Sequence, residues 1–219
     1  MRVDIWSDVV CPWCYVGRAR FDRALAAFAH REEVVVRFHS YELNPTLPRG
    51  GSEALLDALA RKFPDTPRTR LCEREHRVAD AARDEGLGYR GDRRNGNTFD
   101  LHRLLHLAGD AGEAAQAVRA LHHAHFAQAR DVFAPDVAVE VFTAVGLPAA
   151  EVRRVLDGDA YTERVFADQR AAHDMRVTGI PFVVVDRTIA VAGARSTDLY
   201  TRTLDTAWAR RPRARQHVA

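Results

Sequence analysis

The chain has 219 residues, enough for one well-buried domain or for one domain that carries a sizeable insertion. Its 47% hydrophobic and 28% charged residues are ordinary for a globular protein. The formal net charge is only +2 at pH 7, a balance that argues against nucleic-acid binding. No stretch approaches the roughly 18 to 20 apolar residues of a membrane span. We therefore expect no membrane and no nucleic-acid partner.

The cysteine content and the N-terminal segment predict a cytoplasmic location. Three cysteines are too few for a disulfide scaffold and suit a reducing compartment. The first ten residues contain Asp4 and Asp8, which a signal peptide would not tolerate in its apolar region. The one basic cluster lies in segment 210–219, which we expect to be a disordered tail.

The N-terminal segment predicts a strand, a helix and a second strand. Residues 3–6 form a short apolar run that is typical of a strand. Apolar residues at helical spacing follow it: Val16, Phe21, Ala24, Leu25 and Phe28. The β-branched run over 34–38 predicts a buried parallel strand that completes a right-handed βαβ unit.

A long helical region follows, and a second strand-rich segment comes after it. Apolar residues recur at every third and fourth position over 52–63, 68–85, 98–108, 113–128, 135–145, 148–156 and 159–175. The runs 182–186 and 189–192 then predict a hairpin. Ser196 is suited to cap a final helix that ends at about residue 208. The predicted fold class is α/β, with a large helical insertion between two strand-containing halves.

The chemistry is concentrated in Cys11-Pro12-Trp13-Cys14, between the first predicted strand and the first helix. A sulfur at a helix start lies near unpaired backbone N–H groups and the positive end of the helix dipole, which both favour a thiolate. Only the thiolate attacks disulfides. C-x-x-C beside a βα pattern is typical of a thioredoxin-like redox motif, with Cys11 as nucleophile and Cys14 one helical turn on as resolving cysteine.

Two other roles for these cysteines remain open at this point. A zinc site needs two more ligands, and His102 and His106 have the i, i+4 spacing of a ligand pair, although a solvated helix face explains them equally. In the second alternative, the two cysteines have only a structural role and no redox chemistry. We predict no metal. Cys72 lies in a helical pattern, where a half-buried inert thiol is the simpler interpretation.

Three segments, in order, resemble the FrnE-like oxidoreductases, a branch of the DsbA-like thioredoxin superfamily. They are DIWSDVVCPWCYVG at 4–17, NTFDLHRLLHLA at 97–108 and VTGIPFVV at 177–184. The resemblance implies a thioredoxin-like fold interrupted by a large all-helical insertion domain. The first half of the thioredoxin-like domain would occupy 1–45, the insertion 46–175 and the second half 176–209.

The resemblance also implies roles for further residues. A cis Ile180–Pro181 bond would lie opposite Cys11, with the proline shielding the thiolate from metal and the Ile180 backbone pairing with an extended substrate. Pro12 and Trp13 would contact substrate beside Cys11. DsbA proteins that oxidise their substrates place histidine where this chain has Trp13, so the resemblance favours a reductase or isomerase.

The resemblance also assigns a role to the segment 97–108. Its residues Asn97 and His102 would line the substrate cleft. Helix capping and packing explain these two residues equally well.

The leading functional prediction is a thiol–disulfide oxidoreductase acting on protein or small-thiol disulfides, with a recycling reductant and no permanently bound cofactor. The first alternative is a glutathione-dependent isomerase or transferase, like 2-hydroxychromene-2-carboxylate isomerases and kappa-class glutathione transferases. Those enzymes generally lack the second cysteine, but Ser196, Thr197 and Asp198 at a helix start would suit a glutathione carboxylate. A holdase that binds unfolded chains is the second alternative, and a homodimer is left open.

Overall fold

The computed structural model describes residues 1–211, so most of the predicted tail 210–219 lies outside the described residues. The first half of the fold is the predicted βαβ unit. It consists of strand β1 (Arg2–Ser7), helix α1 (Pro12–Ala27) and strand β2 (Val35–Ser40). β1 and β2 are parallel, with Arg2 opposite Val35. The second half contains β5 (Phe182–Val185), β6 (Ile189–Ala192) and α9 (Thr197–Ala209).

The insertion between the two halves corresponds closely to the predicted helices. These are α2 (Leu55–Lys62), α3 (Arg68–Asp84), α4 (Phe99–Asp110), α5 (Ala114–His122), α6 (Pro135–Ala144), α7 (Ala149–Asp157) and α8 (Thr162–Asp174). A π-helical turn, His123–Ala127, continues α5. Within the described part of the chain, no helix is both long enough and apolar enough to cross a membrane.

The insertion is not entirely helical, which corrects the sequence prediction. β3 (Ser52–Ala54) and β4 (Arg94–Gly96) form a two-stranded antiparallel sheet. β3 occupies the start of the helix predicted over 52–63. In the sequence these two strands flank helices α2 and α3, since β3 directly precedes α2 and β4 follows α3.

The main sheet has the strand order β2-β1-β5-β6, with β5 antiparallel to β1 and to β6. β1 is therefore a central strand, and its C-terminal end leads to the Cys11 loop. β2 lies at the edge of the sheet, and Val35 is 57% exposed. The prediction that this strand is buried was wrong, because β-branched composition does not say how many neighbours a strand has.

Two apolar cores hold the fold together. The core of the thioredoxin-like part lies between the sheet and helices α1 and α9, and includes Val3, Ile5, Phe21, Tyr200 and Leu204. A second core fills the helical insertion around α4, α5, α6 and α7. Each fully buried leucine or phenylalanine in these cores contributes about 2 kcal/mol to the free energy of unfolding. The N-terminal end of α1 is thereby held on a rigid support.

Candidate active site

Cys11 is the N-cap residue of α1, directly before Pro12 at the first helical position. Pro12 fits there because the first N–H groups of a helix have no partner within the helix. The Cys11 carbonyl accepts hydrogen bonds from the backbone N–H groups of Cys14 and Tyr15. The Cys11 side chain thus projects from the positive end of the helix dipole. Cys11 is 5% exposed, so only a small part of its surface is accessible.

Cys14 lies one turn further along α1 and is more deeply buried, at 1% exposure. Burial, with a smaller contribution from the neighbouring Cys11 thiol, raises the pKa of Cys14 well above its usual range. The two cysteines are free thiols. Their environments therefore differ: one thiol meets solvent at a helix terminus, and the other is enclosed in the protein.

The segment before β5 lies against this helix start. The Ile180–Pro181 peptide bond is cis, as the resemblance implies, and the Cys11 thiol donates to the Ile180 carbonyl oxygen at 3.9 Å. The Pro181 carbonyl accepts from the Gly193 N–H at 2.8 Å. A Cβ added to Gly17 would lie 2.8 Å from Pro181 Cγ. Glycine at this position in α1 therefore permits the close approach of the proline loop.

A buried carboxylate supports the loop that carries Cys11. Asp8 is fully buried, and its Oδ2 accepts from the Leu43 N–H at 2.8 Å. Its Oδ1 lies 3.2 Å from His102 Nε2 on α4. The loop between β1 and α1 is thereby tied to the insertion and to the segment that follows β2.

Asn97 and His102 do not line the cleft that contains Cys11, contrary to the expectation from the resemblance. His102 is 1% exposed and faces Asp8. The Asn97 side chain accepts from the Phe99 N–H at 2.9 Å and donates to the Leu47 carbonyl at 2.8 Å. Both are thus packing and capping residues, the alternative that the sequence left open.

Cys11 lines a cleft of about 530 Å³ between the thioredoxin-like part and the insertion, here called the Cys11 cleft. One side is formed by the active-site segments: Cys11, Pro12, Trp13, Gly179 and Ile180. The facing wall comes from α2 and α3 and is largely apolar: Leu55, Leu59, Phe63, Leu71 and Val78. Trp13 is 41% exposed. The volume and the apolar lining of the Cys11 cleft are those of a site that binds a small molecule or a side chain.

Other predicted site residues do not line the Cys11 cleft. Cys14 and Pro181 border a separate internal cavity of about 10 Å³. Ser196 caps α9 by accepting from the Leu199 N–H. None of Ser196, Thr197 and Asp198 is among the residues that line the Cys11 cleft.

The two histidines considered for zinc have different partners. His102 faces Asp8, whereas His106 Nε2 lies 3.2 Å from Ser40 Oγ and 3.3 Å from Asp168 Oδ2. Among residues 1–211, no group of three or more His, Cys, Asp or Glu side chains is arranged to hold a metal ion. Cys72 lies on α3, is half-buried, and does not line the cleft.

Sequence reasoning missed two parts of this site. Asp8 lies in the resembling segment 4–17, but the sequence does not show that its side chain is buried and supports the loop that carries Cys11. The wall from α2 and α3 was missed because its residues are distant in sequence from Cys11. Their helical periodicity identified a buried face but not the element against which it lies.

The family follows from comparison with known proteins. The family model described as the DSBA-like thioredoxin domain matches residues 2–205. The chain therefore belongs to the DsbA-like thioredoxin family. This confirms the resemblance at the level of the superfamily, together with the thioredoxin-like fold and its helical insertion.

Solved structures agree with this assignment. A probable DsbA oxidoreductase from Streptomyces coelicolor is 42% identical, with 98% of this chain and 92% of that chain covered and a TM-score of 0.91. A 2-hydroxychromene-2-carboxylate isomerase is 18% identical over 96% of this chain and 95% of that chain, at a TM-score of 0.68. The cytosolic disulfide reductase DsbM from Pseudomonas aeruginosa, solved with GSH, is 16% identical over 95% of this chain and 100% of that chain, at a TM-score of 0.66. The last two show a shared fold alone.

Proposed function

We propose that this protein is a thiol–disulfide oxidoreductase in which Cys11 and Cys14 exchange with the disulfides of protein or small-thiol substrates. One observation carries the proposal. A cysteine at the N-terminus of a helix meets a cleft, and a second cysteine lies buried one helical turn behind it. The first position favours a thiolate that attacks from outside, and the second favours a thiol that reacts only within the protein.

The reaction proceeds in two exchanges. The Cys11 thiolate attacks one sulfur of the substrate disulfide, an S–S bond forms between Cys11 and that sulfur, and the other substrate sulfur leaves as a thiolate that takes a proton from water. Cys14 then loses its proton to solvent and attacks the Cys11 sulfur. The mixed disulfide breaks, the second substrate sulfur leaves, and the Cys11–Cys14 disulfide forms. Two electrons have passed from the protein to the substrate.

The oxidised pair requires an external thiol or dithiol to return it to the reduced state. That recycling reductant is part of the proposal, and a permanently bound cofactor is not. A reducing, cytoplasmic setting is consistent with the three free thiols of the structure. The uncharged Trp13 beside Cys11 supports the reductive direction.

The test is a pair of serine variants assayed for disulfide reduction. Cys14→Ser should accumulate a covalent adduct between Cys11 and substrate, because release needs a second thiolate. Cys11→Ser should abolish the reaction. Cys72→Ser is the matched control, and it should keep the wild-type rate because Cys72 does not line the Cys11 cleft. Full turnover in Cys14→Ser without an adduct would contradict the dithiol mechanism.

The same variants separate the alternatives. A glutathione-dependent isomerase or transferase would remain active in Cys14→Ser when glutathione is supplied, since only one thiol is then needed. A holdase would suppress aggregation of an unfolded protein equally well in wild type and in Cys11→Ser. Either result, together with no disulfide reductase activity in wild type, would replace the proposed function.

A further inference from the structure

The wall of the Cys11 cleft that α2 and α3 form carries cations beside its apolar residues. Lys62, Arg74 and Arg77, on α2 and α3, all line it. Arg93 and Glu75 line it as well, but these two form an ion pair of 2.8 Å in which Arg93 is 1% exposed. Glu75 also accepts from the Tyr89 hydroxyl at 2.7 Å. Glu75, the one carboxylate among the described residues that line the cleft, is thus engaged by Arg93 and Tyr89.

The lysine and arginine side chains of α2 and α3 divide into two groups. Those that do not line the cleft each have a carboxylate partner: Arg61 with Glu53, Arg68 with Asp57, Arg70 with Glu73 and Arg83 with Asp80. Within residues 1–211, the three that line the cleft, Lys62, Arg74 and Arg77, have no carboxylate in salt-bridge contact. Whether a cation of these helices has a carboxylate partner therefore depends on whether it lines the cleft, and not on which helix carries it. The missing partners are thus not a general property of an arginine-rich surface.

Two of the three cations lie near an aromatic ring that also lines the cleft. The Arg74 guanidinium lies 5.4 Å from the centre of the Phe63 ring, and Lys62 Nζ lies 6.0 Å from it. Lys62 also donates to the Leu43 carbonyl at 3.2 Å. Phe63 is 38% exposed. These contacts orient the cations without neutralising them.

Resting on the proposed function, we propose that Lys62, Arg74 and Arg77 select negatively charged substrates, namely low-molecular-weight disulfides that carry carboxylates. A cleft lined by apolar side chains and by cations without carboxylate partners suits a molecule with an apolar body and anionic groups. The volume of about 530 Å³ is that of a small-molecule site. Uncompensated cations around a cleft also raise the local concentration of anions and their rate of encounter.

The experiment compares second-order rate constants for oxidation of the reduced full-length protein by three disulfides. The dianionic probe is 5,5′-dithiobis(2-nitrobenzoic acid), the neutral probe is 2,2′-dithiodipyridine, and the cationic probe is cystamine. Because these probes differ in intrinsic reactivity, each variant is compared with wild type on the same probe. The variant is Arg74→Gln/Arg77→Gln. Arg70→Gln/Arg83→Gln is the matched control, since it also removes two positive charges from α3 but at positions outside the cleft.

We expect the double variant to lose about tenfold with the dianionic probe, to remain unchanged with the neutral one and to gain with the cationic one. Arg70→Gln/Arg83→Gln should match wild type on all three. In wild type, added salt should slow the dianionic probe selectively, because salt screens exposed charges. An equal change on all three probes, or none, would overturn the inference. An acidic disulfide-bonded peptide is tested in parallel. A loss with this peptide and an unchanged rate with the small dianion would also overturn the inference.

Failure of this inference is distinguishable from failure of the proposed function. If Cys11 of the wild-type protein reacts with no disulfide, the oxidoreductase proposal fails. If Cys11 reacts with all three probes and the Arg74→Gln/Arg77→Gln variant keeps their relative rates, only the charge selectivity fails.

Discussion

His39 Nδ1 lies 2.6 Å from Asp168 Oδ1, and this contact joins the edge strand β2 to helix α8 of the insertion. The other ring nitrogen lies 2.7 Å from Asp4 Oδ1 on β1. Trp6 stacks on the imidazole at 4.3 Å and donates its indole N–H to the Asp168 carbonyl. Burial alone would lower the pKa of His39, but hydrogen bonds and charges from Asp168 and Asp4 outweigh it and raise the pKa. Protonated His39 therefore clamps the insertion to the sheet.

The first prediction is that this clamp weakens as pH rises. A histidine with a folded-state pKa above its ordinary value of 6.5 contributes stability that is complete below that value and is lost as pH rises through the folded-state pKa. Asp168 acts in the opposite sense. Burial would raise its pKa, but hydrogen bonds with His106 and His39 lower it below 3.8, so its contribution is lost at acidic pH. The clamp should stabilise most between about pH 4 and 6.5.

Urea unfolding of wild type and His39→Gln measures this contribution. The substitution should lower the free energy of unfolding by about 2 kcal/mol near pH 6, the value of a hydrogen bond to a charged group. The difference should shrink toward alkaline pH. His173→Gln is the control, because the His173 side chain is 92% exposed and should leave the pH profile unchanged. The same pH profile in wild type and His39→Gln would contradict the prediction.

The second prediction concerns the order in which the thiols react. Burial raises the pKa of Cys14, so little of it is thiolate near neutral pH, whereas Cys11 lies at a helix N-terminus and lines the cleft. Iodoacetamide at mildly acidic pH should label Cys11 at least about tenfold faster than Cys14. Cys72, on α3, serves as a reference thiol within the same chain. Peptide mass spectrometry measures the three rates, and equal rates would remove the argument from the helix terminus.

The third prediction is that Gly17→Ala disturbs the loop around Pro181. The added Cβ would lie 2.8 Å from Pro181 Cγ and 3.2 Å from the Ala194 backbone, closer than packed carbon atoms tolerate. Overpacking of this kind costs about 1 to 3 kcal/mol in the free energy of unfolding. The rate of disulfide reduction should fall as well, because Ile180 beside Pro181 lines the cleft. Thermal unfolding and the reductase assay measure the two effects.

Gly109→Ala is the matched control for Gly17→Ala. Gly109 is also helical, in α4, but a Cβ there would meet nothing within 4 Å. Alanine should therefore stabilise this helix, by up to about 1 kcal/mol. If Gly17→Ala were as stable and as active as Gly109→Ala, the close approach of the Pro181 loop would not matter.

Local patterns predicted the elements that carry the chemistry. The apolar run before Cys11 and the helical spacing of Val16 and Phe21 determine β1 and α1 through nearby residues alone. The same holds for the cap at Ser196, whose side chain accepts from an N–H three residues on. These features could be predicted because hydrophobic periodicity and capping act over a few residues.

Tertiary relationships could not be predicted in the same way. The composition of β2 indicates a strand but not that Val35 lies at the edge of the sheet. The pair of β3 and β4 was missed because each strand has three residues, too few for a periodic signal. The spacing of His102 and His106 places them on one helical face, but the partners of that face depend on how α4 packs. The cations that line the Cys11 cleft likewise come together with Cys11 only in the folded chain, when α2 and α3 form one wall of the cleft.

The last prediction is that the buried pair of Asp8 and His102 stabilises the loop that carries Cys11 and does not bind substrate. In His102→Ala the fully buried Asp8 carboxylate keeps the Leu43 N–H but loses the imidazole. Removing one partner of a buried hydrogen bond leaves the other partner unsatisfied, which costs about 2 kcal/mol in the free energy of unfolding. Asn97→Ala, which removes the cap on the Phe99 N–H, should cost only about 1 kcal/mol. Because neither side chain lines the Cys11 cleft, KM for disulfide reduction should stay at its wild-type value in both variants, measured where both are folded. A His102→Ala protein with unchanged stability and a raised KM would instead place His102 in substrate binding.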